Sequence, residues 1–179
     1  MLKILAIAAA IVVVAILGLL AYASTRPDTF RVQRATTIQA PPEKIFLLIN
    51  DLQAWRGWSP FEKKDPDMQR RYSGPAAGKG ARYAWDGDKN IGAGSLEIVE
   101  SVPHAKVAVR LDFLKPFEST SRADFTLAPQ GDSTTVTWAM TGPLTLMFKI
   151  VHLVFNFDRM VGGDFEAGLA DLKAMAEQP

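Results

Sequence analysis

The sequence predicts an α+β protein in which an antiparallel sheet with one dry face is covered by a long C-terminal helix, behind an apolar N-terminal helix. Three observations carry this. Ile4 to Ala23 is twenty residues without a charge. Five stretches between Ala81 and Thr141 alternate apolar with polar residues, the period of a half-buried strand. From Leu144 through Glu177 no proline occurs and apolar residues recur at helical spacing.

The run ILAIAAAIVVVAILGLLAYA follows Lys3 and precedes Ser24, Thr25, Arg26 and Pro27. At about 1.5 Å per residue such a helix covers roughly 30 Å, the thickness of a hydrocarbon core. Tyr22 stands where an interfacial aromatic belongs. The same segment fits a cleaved signal peptide, because Ala21-Tyr22-Ala23 has a small-x-small pattern, although its apolar core exceeds the usual roughly 7–15 residues. Residues 1–26 are therefore read as a transmembrane anchor, or signal peptide, with its flank, and residues 27–179 as the folded domain. Lys3 and the amino terminus compete with Arg26, Arg31 and Arg34 in positive-inside counting. The count puts the domain on the cytoplasmic side and signal-like behaviour would export it, so the side stays open.

Thr29 to Ala40 is rich in β-branched residues and ends at Pro41-Pro42, which suits a strand-to-helix corner. Pro42 opens a helix to Leu52 whose Ile45, Phe46, Leu48, Ile49 and Leu52 share a face, with Glu43 in the first turn. Ala54 to Gly80 mixes Trp55, Trp58 and Phe61 with turn formers. It is expected to be an irregular aromatic loop holding one short strand near Met68 to Tyr72. Strands follow at Ala81–Asp86, Gly94–Ser101, Lys106–Phe113, Ser121–Ala128 and Thr134–Thr141, spaced as an antiparallel meander.

Alternation assigns their faces. Ala81, Tyr83, Trp85, Leu96, Ile98, Val107, Val109, Leu111, Phe113, Ala123, Phe125, Leu127, Val136, Trp138 and Met140 fall on one parity; Arg82, Glu97, Arg110, Asp112, Arg122 and Asp124 fall on the other. Cover for the dry face comes from Pro143 onward, where a helix begins. Leu144, Met147, Phe148, Val151, Val154 and Phe155 form its apolar side, and Thr145, Lys149, His152 and Asn156 its polar side. Gly162-Gly163 is read as a kink or break, beyond which Phe165, Leu169, Leu172 and Met175 continue the stripe.

Composition narrows the function. The chain is 179 residues long with 20 basic and 19 acidic residues, and without Lys3 and Arg26 the rest carries 18 against 19. No basic patch marks a nucleic-acid binder. The absence of Cys removes thiolate catalysis and Cys-ligated metals. Neither Gly78-x-Gly80 nor Gly92-x-Gly94 completes a nucleotide loop, and no metal-ligand or nucleophile motif occurs. His104 lies in an expected exposed turn and His152 on a polar helix side, so neither is placed for acid–base work.

In order along the chain, APPEKIFLLINDLQAWRGWSPF (Ala40 to Phe61), GxGxxYxWxG (Gly78 to Gly87), Pro103 with Val107, TTVTWAMTG (Thr134 to Gly142) and DRMVGGDFEAGLADLKAMAE (Asp158 to Glu177) resemble the START-like, Bet v 1-like and polyketide-cyclase-like (SRPBCC) superfamily. The likeness is to bacterial members that carry an N-terminal hydrophobic helix. It implies a helix-grip fold, with the sheet wrapped around the C-terminal helix, and an apolar cavity between them. It implies no single activity.

The residues expected at such a cavity are Trp55, Trp58, Phe61, Tyr83, Trp85, Leu96, Leu111, Phe113, Phe125, Trp138, Met140 and Phe165, each of which also fits ordinary core packing. A hydrophobic small molecule or lipid is the expected ligand and the bacterial cytoplasmic membrane, spanned once by residues 4–23, the expected location. No cofactor or metal, and no catalytic residue, is assigned. The alternatives are a polyketide cyclase- or dehydrase-like enzyme, with Tyr83 or Arg34 guiding a proton, and a ligand-free module acting through protein contacts. Leu144 to Phe157 is read as closing one end of the core, with membrane contact or cavity gating as its alternative.

Overall fold

The structure, a computed structural model, describes residues 2–154 and 156–178. The side chains of His152, Val154 and Phe155, which the sequence places on the two sides of one helix, lie outside the described residues.

Helix α1 (Leu2–Ser24) leads into strand β1 (Thr29–Ile38) and helix α2 (Pro42–Asn50). Two short helices follow, α3 (Trp55–Trp58) and α4 (Pro60–Lys64), then strands β2 (Gln69–Ser73), β3 (Arg82–Asp86), β4 (Ala93–Val102), β5 (Lys106–Lys115), β6 (Ser119–Gln130) and β7 (Ser133–Pro143). Helices α5 (Leu146–Val154) and α6 (Phe157–Ala176) close the chain. The sheet is antiparallel with the order β1-β7-β6-β5-β4-β3-β2, so the first strand closes on the last strand of the meander.

The segment expected to be an irregular loop with one short strand has that strand as β2, but its first part folds into α3 and α4. Its tryptophans explain the helical turns: Trp58 Nε1 donates to the Leu48 carbonyl at 3.0 Å and Trp55 Nε1 to the Ile49 carbonyl at 2.9 Å. Both carbonyls stand in the last turn of α2, where no intrahelical donor reaches them. The indoles cap the helix and are drawn into the core.

Two expectations about the C-terminal region are corrected. Pro143 does not open a helix but ends β7 opposite Thr29, where a strand end loses nothing by lacking an N–H. The helical region breaks ahead of α6, whose N-cap Asn156 accepts a hydrogen bond from the Arg159 backbone N–H at 2.9 Å. Gly162 and Gly163 lie inside α6. Gly162 has no side chain because Arg34 crosses there: a Cβ would sit 2.0 Å from an Arg34 guanidinium nitrogen.

The expected faces hold. Ile98, Val107, Val109, Phe125 and Val136 are fully buried. On the opposite face a charge lattice runs across β3 to β6, with Glu97 between Arg82 and Arg110, and Glu100 between Lys106 and Arg122.

Helix α6 packs on β1 and β7 and against α2, α3 and α4, while α2 packs on β5 and β6. Arg34 ties β1 to α6 through Asp158 at 3.0 Å and Glu166 at 2.6 Å, and Lys63 and Lys64 tie α4 to Asp171 and Asp164, each at 2.6 Å. One helix cannot cover seven strands. Helix α6 lies over β1 and β7, and toward β3, β4 and the far end of β5 the interior opens.

Candidate ligand-binding site

That opening is a cavity of about 510 Å³, within the range of small-molecule sites and far above the water-sized gaps of a packed core. Its sheet wall is Tyr83 and Trp85 of β3, Leu96 of β4, Leu111 and Phe113 of β5, and Trp138 and Met140 of β7. The helices supply Trp55, Phe61 and Phe165. Trp85, Leu111, Phe113 and Met140 are only partly buried although their parity is the dry one, because they look into the void.

Trp58 and Phe125, expected beside these, do not line it. Both are 0% exposed and form the layer behind the wall, where Phe125 sits 4.9 Å from Trp138 and Trp58 meets both rings edge-on. Trp138 stacks on Phe165 of α6, centroids 4.0 Å apart. The Trp55, Trp58, Phe125, Trp138 and Phe165 cluster therefore fixes the deep boundary of the cavity with offset and edge-to-face contacts.

The polar end was not foreseen. Glu62 of α4 lines the cavity yet is 7% exposed. Its Oε1 accepts the Tyr83 hydroxyl at 2.6 Å and its Oε2 the Arg70 Nε at 2.7 Å. Arg70 spends three of its other four N–H groups on the Met68, Pro66 and Asp65 carbonyls, at 2.6, 3.0 and 3.3 Å. Burial, and next the hydrogen bond to Glu62, push the Tyr83 phenol well above its ordinary value of 10.0. Burial is the largest influence on Arg70 and opposes its charge, but the hydrogen bond to Glu62 and the charge of Glu62 together outweigh it and the guanidinium is raised. The S-x-x-E pattern of Ser59 to Glu62 marks a helix start in the sequence; its glutamate turns to Tyr83 and Arg70 rather than to the cap.

The other residues singled out lie elsewhere. Arg34 does not line the cavity, and Asp158 and then Glu166 raise its guanidinium by hydrogen bonding. His104 sits in a surface turn, its Nδ1 3.4 Å from Glu43. Lys149, expected on a polar helix side, is buried: its Nζ donates to Asp28 at 2.6 Å and to the Arg26 carbonyl at 2.8 Å, clamping α5 onto the segment leaving α1.

At the mouth stand Leu144, Phe148, Phe117 and Met160. Phe117 meets Phe148 edge-on at 5.9 Å, and Leu144 bonds through its backbone to Asp28 at 2.7 Å. Helix α5 packs against α1, whose Ala23 is fully buried. The mouth thus lies at the end of α1.

No curated protein matches the chain. Solved structures share its fold. Protein CV1439 from Chromobacterium violaceum is 17% identical, with a TM-score of 0.59 over 86% of this chain and 100% of its own. The Aha1 dimer from Colwellia psychrerythraea is 16% identical, with a TM-score of 0.59 over 83% and 96%. CalU16 from Micromonospora echinospora is 14% identical, with a TM-score of 0.54 over 83% and 85%. The family model described as polyketide cyclase/dehydrase and lipid transport matches residues 29–177. That match runs from the first residue of β1 to just beyond α6, and the chain belongs to this family.

Proposed function

We propose that the protein binds a hydrophobic small molecule or lipid in the cavity of a domain tethered to the membrane by α1. The observation that carries this is the cavity itself: a void of about 510 Å³ walled by aromatic and aliphatic side chains favours an apolar occupant over water. The family description supports a hydrophobic ligand. An 18-residue stretch within Lys3–Ser24 has a mean hydropathy of 3.1 and is not buried by the domain, as a span or a signal sequence would be.

The surroundings of the mouth support a ligand source in the bilayer. Met147 is 69% exposed and Phe117 66%, and Leu114, Leu146 and Met160 are exposed beside them. Lys149 holds this corner against the exit of α1, so an anchored domain would present its mouth to the membrane surface. Titration of the full chain in vesicles with labelled phospholipids, fatty alcohols and isoprenoids tests the proposal. Saturable binding of at least one class supports it; none contradicts it.

A second reading, a cyclase- or dehydrase-like catalyst, draws on one contact, Tyr83 with Glu62 inside the cavity. A phenol raised by burial serves as a hydrogen-bond donor more readily than as a base at neutral pH. Turnover that survives Tyr83→Phe and Glu62→Gln removes this reading.

A further inference from the structure

Among the described residues four charged ones line the cavity, and three are settled at its rim: Lys64 with Asp164 at 2.6 Å, and Lys115 with Asp86 at 3.3 Å. Glu62 alone is buried. Its two oxygens each receive one hydrogen bond, from Tyr83 and from Arg70, which leaves lone pairs unused on a carboxylate that has about four. Tyr83 has spent its proton on Glu62, and Arg70 does not reach the cavity wall. This end of the cavity offers acceptors and no free donor from the triad.

Charge narrows the ligand further. Glu62 is already neutralised by Arg70, so a ligand carrying net charge into this end would be buried without a counter-ion. Burying an unpaired charge costs several kcal/mol even after relaxation. A carboxylate or phosphate would also face the Glu62 oxygens directly.

We infer that the ligand is an uncharged apolar molecule bearing a hydroxyl, seated with that hydroxyl donating to Glu62 and its apolar body against Trp85, Leu111 and Phe113. This rests on the hydrophobic-ligand reading above and specifies its chemistry. Anionic amphiphiles of the same length are rejected at the Glu62 end.

The four tryptophans, Trp55, Trp58, Trp85 and Trp138, all lie outside α1, so quenching by a brominated amphiphile reports on the domain and not on the span. The full chain in phosphatidylcholine vesicles is titrated with 12-bromododecanol and with 12-bromododecanoate. The alcohol should quench saturably, with the carboxylate about tenfold weaker or more, the factor that 1.4 kcal/mol provides. Glu62→Gln should erase or invert that preference, because it removes the repelling carboxylate and leaves Arg70 without its counter-charge. Tyr83→Phe retains Glu62 and should keep the preference, which preserves the test if Glu62→Gln fails to fold. Equal quenching by the two probes, or loss of preference in Tyr83→Phe, overturns the inference and leaves the cavity reading intact. Absence of saturable quenching by either probe removes both.

Discussion

Arg34 of β1 lies across Gly162 of α6, its guanidinium where a β-carbon would be, and from there it reaches Asp158 and Glu166. The sheet edge and the covering helix are joined at that crossing. Alanine is about 1 kcal/mol better than glycine inside a helix, so Gly162→Ala alone would be expected to stabilise. Here it displaces Arg34 and should lower the thermal midpoint. In an Arg34→Ala background the same change should raise it, by about 1 kcal/mol of helix propensity. Thermal unfolding of the four chains of this cycle checks the reversal, and the same sign in both backgrounds would contradict it.

The Arg34 hydrogen bond, ahead of its charge, holds Asp158 below its ordinary value of 3.8. A carboxylate depressed in the folded state contributes stability above that ordinary value and loses it as pH falls through the folded one. The difference in midpoint between the native chain and Asp158→Asn should therefore be constant near neutrality and vanish in acid below 3.8. A difference that persists there would show that the asparagine disturbs something other than the ion pair.

Tyr83 titrates the other way. Its phenol is raised, so its contribution is complete below the ordinary value of 10.0 and declines as pH rises beyond it. Alkaline titration of phenolate absorbance should show a component that appears only as the domain unfolds. Tyr83→Phe should lack that component.

Filling the void separates binding from folding. Leu111 lines the cavity and is partly buried, so Leu111→Trp extends into the void rather than into packed core. Ligand affinity should fall about tenfold or more, the equivalent of 1.4 kcal/mol, with unfolding midpoint unchanged or higher. A collapsed fold in this variant would mean the site is packed.

Phe117 at the mouth is exposed and meets Phe148 edge-on, and Met147 is exposed on the neighbouring α5. Phe117→Ser with Met147→Ser should change stability by no more than about 0.5 kcal/mol, typical of surface positions. Transfer of a fluorescent lipid from donor vesicles should slow several-fold. Unchanged transfer would place ligand entry elsewhere.

Much of the architecture was legible because alternation is a local signal: the parity of Tyr83, Leu96, Val109, Phe125 and Trp138 reads directly from the chain. The pairing of β1 with β7 was not, since it joins Thr29 to Pro143 across the whole domain. Nor were α3 and α4, which depend on two tryptophans reaching back to α2. At the site, ten of the expected aromatic and aliphatic residues line the cavity, whereas Phe125, of the same strand parity, and Trp58, from the same aromatic segment as Trp55 and Phe61, lie one layer deeper. Periodicity gives a residue's face and not its depth. Glu62 escaped notice because its partners, Tyr83 and Arg70, stand on strands that follow it, and a glutamate in a helix's first turn ordinarily faces solvent.

The central claim, an occupied hydrophobic cavity, is tested most directly by native mass spectrometry of the purified full chain, followed by organic extraction and mass identification of what was bound. The account expects a reproducible adduct of one apolar, uncharged class, reduced in Leu111→Trp. A clean apo mass that persists after incubation with membrane lipid extract would contradict it.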